Sequence, residues 1–141
     1  MTIIESSRHI EADARRVWDT ISDVARWPEW LDTVDSVERL DDGPFRVGSR
    51  ARVKQPGFPA AVWEVTELVD GHHFTWEAAG PGFRSIGRHV VVPAGDGADV
   101  TLGIEQTGPL AGLVTRLWGR RTRDYVEREG RCLADRVAAS A

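Results

Sequence analysis

A single cysteine, Cys132, in 141 residues leaves no partner for an intramolecular disulfide and no cysteine cluster for a metal. The histidines do not replace it. No HxH, HxxxH or CxxC spacing occurs, and His72 and His73 are neighbours that point opposite ways if the segment is a strand. The sequence also lacks GxGxxG, a Walker loop, GxSxG and HExxH, so nucleotide cofactors, serine-hydrolase chemistry and zinc proteolysis have no motif to rest on. No metal and no cofactor are expected. No window approaches 18 consecutive apolar residues, which argues against stable membrane insertion. Glu5, Arg8 and Glu11 interrupt the apolar residues at the start, where a leader would be basic and then apolar, so the expectation is a soluble, cytoplasmic protein. Nor is there an excess of basic charge. The net charge of -4 argues against nonspecific nucleic-acid binding.

What is present suits one globular domain over residues 1–141, as a monomer or homodimer. Apolar residues make up 41% and charged residues 28%. A chain of this length buries roughly 70% of the surface it exposes when unfolded, enough for one core or a smaller core around a pocket. The charge is uneven. Residues 1–42 hold 11 acidic and 5 basic side chains, whereas residues 110–141 hold 4 and 7.

Residues 2–10 read as a strand. Asp13 is placed to cap a helix over 14–22, where Val17, Trp18 and Ile21 share one face. A second short helix follows over 24–31, with Pro28 near its start. Strands are then expected at 34–40, 50–54, 61–69, 72–78, 83–92 and 99–107. They are separated by turn signals such as Asp41-Asp42-Gly43-Pro44, Asp70-Gly71, Gly80-Pro81-Gly82 and Gly95-Asp96-Gly97. In 61–69 strict alternation places Trp63, Val65 and Glu67 on one face. After Gly108-Pro109 the apolar period changes to about 3.6, predicting a long helix to about residue 138 that Gly112, Gly119 and Gly130 weaken. Successive hairpins make an antiparallel meander, and the long helix is the element left to fill its concave face, so a cavity between the two is expected.

Several stretches carry a family likeness: Ile10-Glu11-Ala12, Val17-Trp18, Asp23, Trp27-Pro28-Glu29-Trp30, Trp63-Glu64-Val65, Gly95-Asp96-Gly97 with Val100-Thr101, and Gly108-Pro109-Leu110. On these the chain resembles the helix-grip superfamily of START domains, the birch-pollen-allergen fold and the bacterial polyketide cyclase/dehydrase-like (SRPBCC) proteins. The resemblance spans essentially the whole chain. It implies an α+β helix-grip fold: a curved antiparallel sheet of about seven strands wrapped around a long C-terminal helix, with two short helices after the first strand. It does not fix an activity, since this fold serves lipid carriers, hormone sensors, cyclases and co-chaperones.

The candidate ligand-binding residues are Trp63, Phe74, Trp76, Val100, Leu102, Val114, Trp118 and Tyr125, which serve equally as plain core. His89 shares a strand face with Ser85, Gly87 and Val91. If that face is concave, His89 is a candidate catalytic proton donor or acceptor, and Tyr125 is a second. Glu64, Glu67 and Glu77 are the strand carboxylates most able to enter a cavity, where a partner such as Arg52, Arg84 or Arg88 would be needed; otherwise they lie at the surface. Cys132 reads as a small buried apolar residue. Arg116, Arg120, Arg121 and Arg123 read as a solvated helix face, paired in part with Asp124 and Glu127, or as a contact for an acidic partner. Three functions remain open. The first is a binder of a small hydrophobic, aromatic, lipid-like or polyketide-like ligand. The second is a cofactor-independent cyclase or dehydratase using His89 or Tyr125. The third is a protein-interaction module with a filled interior, using the arginine-rich helix face or the Trp27–Trp30 turn.

Overall fold

The turn residues divide the chain close to where the sequence marks them. A computed structural model describes residues 2–139. It begins with β1 (Thr2–Ile10), α1 (Ala14–Ser22) and a 3₁₀ turn (Val24–Glu29). Six strands follow: β2 (Ser36–Arg39), β3 (Arg50–Lys54), β4 (Ala61–Val69), β5 (His73–Gly80), β6 (Phe83–Ala94) and β7 (Gly97–Thr107). The chain ends in α2 (Ala111–Ala139). The strands form one antiparallel sheet in the order β1-β7-β6-β5-β4-β3-β2. The meander β2 to β7 is consecutive, and β1 returns to pair along β7, with Ile4 opposite Ile104 and Ile10 opposite Ala98. The chain adopts the helix-grip α+β fold.

The inward face reads off the pleat: Val65 on β4, Phe74 and Trp76 on β5, His89 and Val91 on β6, Val100 and Leu102 on β7 are all buried. Strict alternation fails at one place. Val65 pairs with Trp76, but Glu67, not Thr66, pairs with Thr75, so β4 carries one extra residue there. This β-bulge turns Glu67 outward to His73, 3.3 Å away, and brings Leu68 in against the core. Glu67 therefore does not share the face of Trp63 and Val65, where strict alternation had placed it.

α1 buries Val17, Trp18 and Ile21, the three residues that the helical spacing groups. Asp13 precedes it but makes no side-chain capping bond; only its carbonyl accepts, from the Val17 amide. The Trp18 indole nitrogen and Arg15 both donate to Asp70 in the β4–β5 turn, tying α1 to that hairpin. The Trp27 indole nitrogen donates to the Ile21 carbonyl at 3.0 Å, which fixes the 3₁₀ turn with its ring facing the sheet.

α2 is unbroken across its three glycines, and its two halves behave differently. Val126, Gly130, Leu133 and Val137 are buried where the helix lies on β1 and β7. At Gly130 the backbone comes close enough that an added Cβ would touch Leu102 and Arg8. Between Ala111 and Val126 no helix residue is buried. That half spans a space instead of filling one.

Candidate functional site

The space under the first half of α2 is a cavity of about 800 Å³, open to solvent beside the β3–β4 loop. Its walls include Trp63 on β4, Ala78 on β5, Phe83 on β6, Ile104 on β7, and Val114 and Trp118 on α2. Its size lies within the range of small-molecule sites, and its surface is mainly apolar. Two features of the chain leave it open. The small residues Ala78, Ala79 and Gly80 follow Trp76 on β5, and α2 needs its second half to reach the sheet.

Adjoining the cavity, and sharing Trp63 and Glu129 with its wall, is a recess of about 50 Å³ that Trp27, Trp76 and His89 also line. An aromatic box holds His89. Its imidazole stacks on the Phe74 ring at 4.1 Å and 10°, and Trp27 and Trp76 stand beside it at 5.7 and 5.9 Å. Nδ1 lies 3.3 Å from the Phe74 carbonyl oxygen. A carbonyl only accepts, so Nδ1 is assigned the proton and Nε2 presents a lone pair. Burial drives the imidazole pKa down to about 4, against a small opposing effect of the Phe74 carbonyl, so at neutral pH the ring is uncharged. Gly87, opposite Trp76 on β6, gives the indole room: a Cβ there would sit 3.0 Å from the ring.

Glu129 reaches this recess from α2. Its Oε2 lies 3.5 Å from Nε2 of His89, too far for a good hydrogen bond, and has no hydrogen-bond partner among the described residues. Burial pushes its carboxyl up to about 8, so at neutral pH it is mostly the protonated acid. The site thus places an O–H donor and an imidazole lone pair in a recess that adjoins a mainly apolar cavity.

The residues singled out from sequence divide three ways. Trp63, Val114, Trp118 and Tyr125 line the large cavity, while Trp76 and His89 line the adjoining recess. Phe74, Val100 and Leu102 are packed into the core and do not line the cavity. The Tyr125 hydroxyl donates to the Pro56 carbonyl, and its ring meets Phe58 at 5.7 Å, so it braces the β3–β4 loop and does not line the recess that holds His89. Of the strand carboxylates, Glu64 lines the large cavity beside Arg50, 3.7 Å away, and Glu77 faces Arg84 at 3.9 Å; neither lines the recess. Burial raises the Cys132 thiol, in keeping with an unreactive side chain. In the arginine cluster, Arg121 donates to the Gly57 carbonyl, while Asp124 pairs with Arg128, outside the cluster. The interior is not filled, contrary to what an interaction module without a ligand was expected to show.

Glu129 is the residue of this recess that sequence reasoning missed. It lies four residues after Tyr125 and three before Cys132, on the helix face that the apolar pattern marks as inward. A carboxylate in that register was the available signal.

A curved sheet gripping a long helix around an apolar cavity defines a START-like helix-grip protein. The chain belongs to the family described as polyketide cyclase/dehydrase and lipid transport, which it matches over residues 1–141. Among solved structures it is similar to a START superfamily protein from Mycobacterium smegmatis: 18% identity, 99% of each chain covered, TM-score 0.75. It is also similar to norcoclaurine synthase from Thalictrum flavum in complex with dopamine and hydroxybenzaldehyde: 18% identity, 99% and 88% covered, TM-score 0.77. A third is the Zhui aromatase/cyclase from Streptomyces sp. R1128: 13% identity, 97% and 93% covered, TM-score 0.74. At these identities the likeness is one of fold. The comparison with curated proteins finds no match.

Proposed function

We propose that this protein binds a small, largely apolar molecule in the cavity between the sheet and the first half of α2. The observation that carries this reading is the unfilled interior of about 800 Å³, lined mainly by apolar side chains. Affinity comes chiefly from apolar burial, about 25 cal/mol per Å² before ordering costs. Trp63, Trp76, Val114, Trp118 and Tyr125 form the contacting wall. The test is fluorescence titration with N-phenyl-1-naphthylamine, a neutral apolar dye that brightens on leaving water. The wild type should brighten it saturably, and Val114→Trp, which fills the space beneath α2, should weaken binding at least about tenfold. Equal binding by both proteins would remove the support for this site.

The second reading, a cofactor-independent cyclase or dehydratase, is favoured by one observation: the uncharged imidazole of His89 faces the recess with its Nε2 lone pair. A group of this kind can accept a proton from a carbon next to a substrate carbonyl. Tyr125 is less suited, because its hydroxyl is engaged by Pro56. Under this reading, His89→Gln abolishes turnover on a panel of polyketone substrates while dye binding persists. No turnover by the wild type across that panel would leave the binding reading alone.

A further inference from the structure

We infer that Glu129 is the polar anchor of the cavity and restricts it to neutral ligands that carry a carbonyl or hydroxyl oxygen at one end. This rests on the cavity being a ligand site and specifies what enters it. Three observations carry the inference. Oε2 of Glu129 is buried without a hydrogen-bond partner among the described residues, in the recess that adjoins the cavity. The neighbouring groups do not satisfy it: His89 Nε2 is 3.5 Å away, and the Trp27 indole nitrogen is committed to the Ile21 carbonyl. No arginine or lysine is among the described residues lining the recess, and the one basic residue on the larger wall, Arg50, is exposed and faces Glu64.

The chemistry follows from these placements. A buried polar atom left unpaired is costly, and a ligand oxygen that reaches Glu129 removes that cost. A protonated carboxyl offers one donor and one acceptor, so it can donate to a ketone, aldehyde or ester oxygen, or accept from an alcohol or phenol. A ligand carboxylate finds no cation there. It would bring an uncompensated charge into a recess that holds no cation, beside an acid whose own ionisation is already disfavoured. The aromatic rings of Trp63 and Trp76 beside the recess favour a flat ligand end.

Equilibrium dialysis of three matched probes tests this: 2-acetylnaphthalene, its oxygen-free isostere 2-isopropenylnaphthalene, and 2-naphthoate. The ketone should bind about tenfold tighter than the isostere, the worth of one good hydrogen bond. It should also bind at least tenfold tighter than the carboxylate. Glu129→Leu should bring the ketone and isostere within about twofold, whereas Glu129→Gln, which keeps a neutral donor, should retain the preference. Both variants remove a buried ionisable group, and a melting curve confirms that they fold. Equal binding of ketone and isostere by the wild type would overturn the inference while leaving the cavity reading intact, and so would naphthoate binding as tightly as the ketone. Binding of none of the three would overturn both.

Discussion

The carboxyl of Glu129 stands 3.5 Å from Nε2 of His89, and both groups line a recess that adjoins a mainly apolar cavity. Burial opposes charge on each. It acts in opposite directions on their titration, raising the acid to about 8 and lowering the imidazole to about 4.

A distinctive pH profile of stability follows. Between 4.5, the ordinary value for glutamate, and about 8, the folded protein holds a proton on Glu129 that the unfolded chain has lost, so stability falls as pH rises through that window. For His89 the folded value is about 4 against an ordinary 6.5, so the unfolded chain binds the extra proton and stability falls as pH drops from 6.5 toward 4. Each contributes a slope of about 1.4 kcal/mol per pH unit. The slopes oppose and cancel between 4.5 and 6.5, and of these two groups Glu129 alone acts from 6.5 to 8. Calorimetry across pH should therefore show these two groups giving a plateau and then an alkaline decline. Glu129→Gln should reduce the decline to what the raised His9 imidazole, held by Asp99 and Glu11, leaves, and expose the acid slope of His89. Superimposable profiles for the two proteins would contradict the assignment.

The two halves of α2 should respond differently to truncation. Leu133 is fully buried against the sheet, and Leu133→Ala should cost about 2–5 kcal/mol in chemical denaturation. Trp118 is 38% exposed on the cavity wall, so Trp118→Ala should cost less than about 1 kcal/mol while weakening binding of the neutral dye. A large stability loss at Trp118 would mean that this half of the helix is core.

Two glycines make a matched pair. Gly119 lies within α2 with only the Thr115 methyl at 3.4 Å from an added Cβ, so Gly119→Ala should stabilise by up to about 1 kcal/mol. Gly87 faces the Trp76 indole at 3.0 Å, so Gly87→Val should displace that ring, cost about 1–3 kcal/mol and alter tryptophan emission. Unchanged emission in Gly87→Val would place Trp76 elsewhere.

Most of the architecture was legible because it depends on local signals. The turn dipeptides located every strand of the meander, and the change of period after Gly108-Pro109 located α2. Parity grouped Ser85, Gly87, His89 and Val91 on one face but left open whether that face is concave; the structure buries His89 and Val91 on the inner side. What was not legible depends on tertiary placement. The bulge after Val65 leaves no trace in the alternation of Ala61–Val69, yet it reverses Glu67 and Leu68. The division of apolar residues between core and cavity wall is set by where α2 leaves the sheet, so Phe74 and Leu102 look no different in sequence from Trp63 and Ile104. Glu129 went unread because a carboxylate in a charged helix suggests solvent, although its spacing from Tyr125 puts it inside.

The most direct test of the account is a crystal structure of the protein, purified without detergent, after soaking with 2-acetylnaphthalene. The account predicts density for the probe between Trp63 and Trp118, with its oxygen within hydrogen-bonding distance of Glu129. An interior closed by α2 packing onto β3–β5, or the probe bound only outside the sheet, would contradict it.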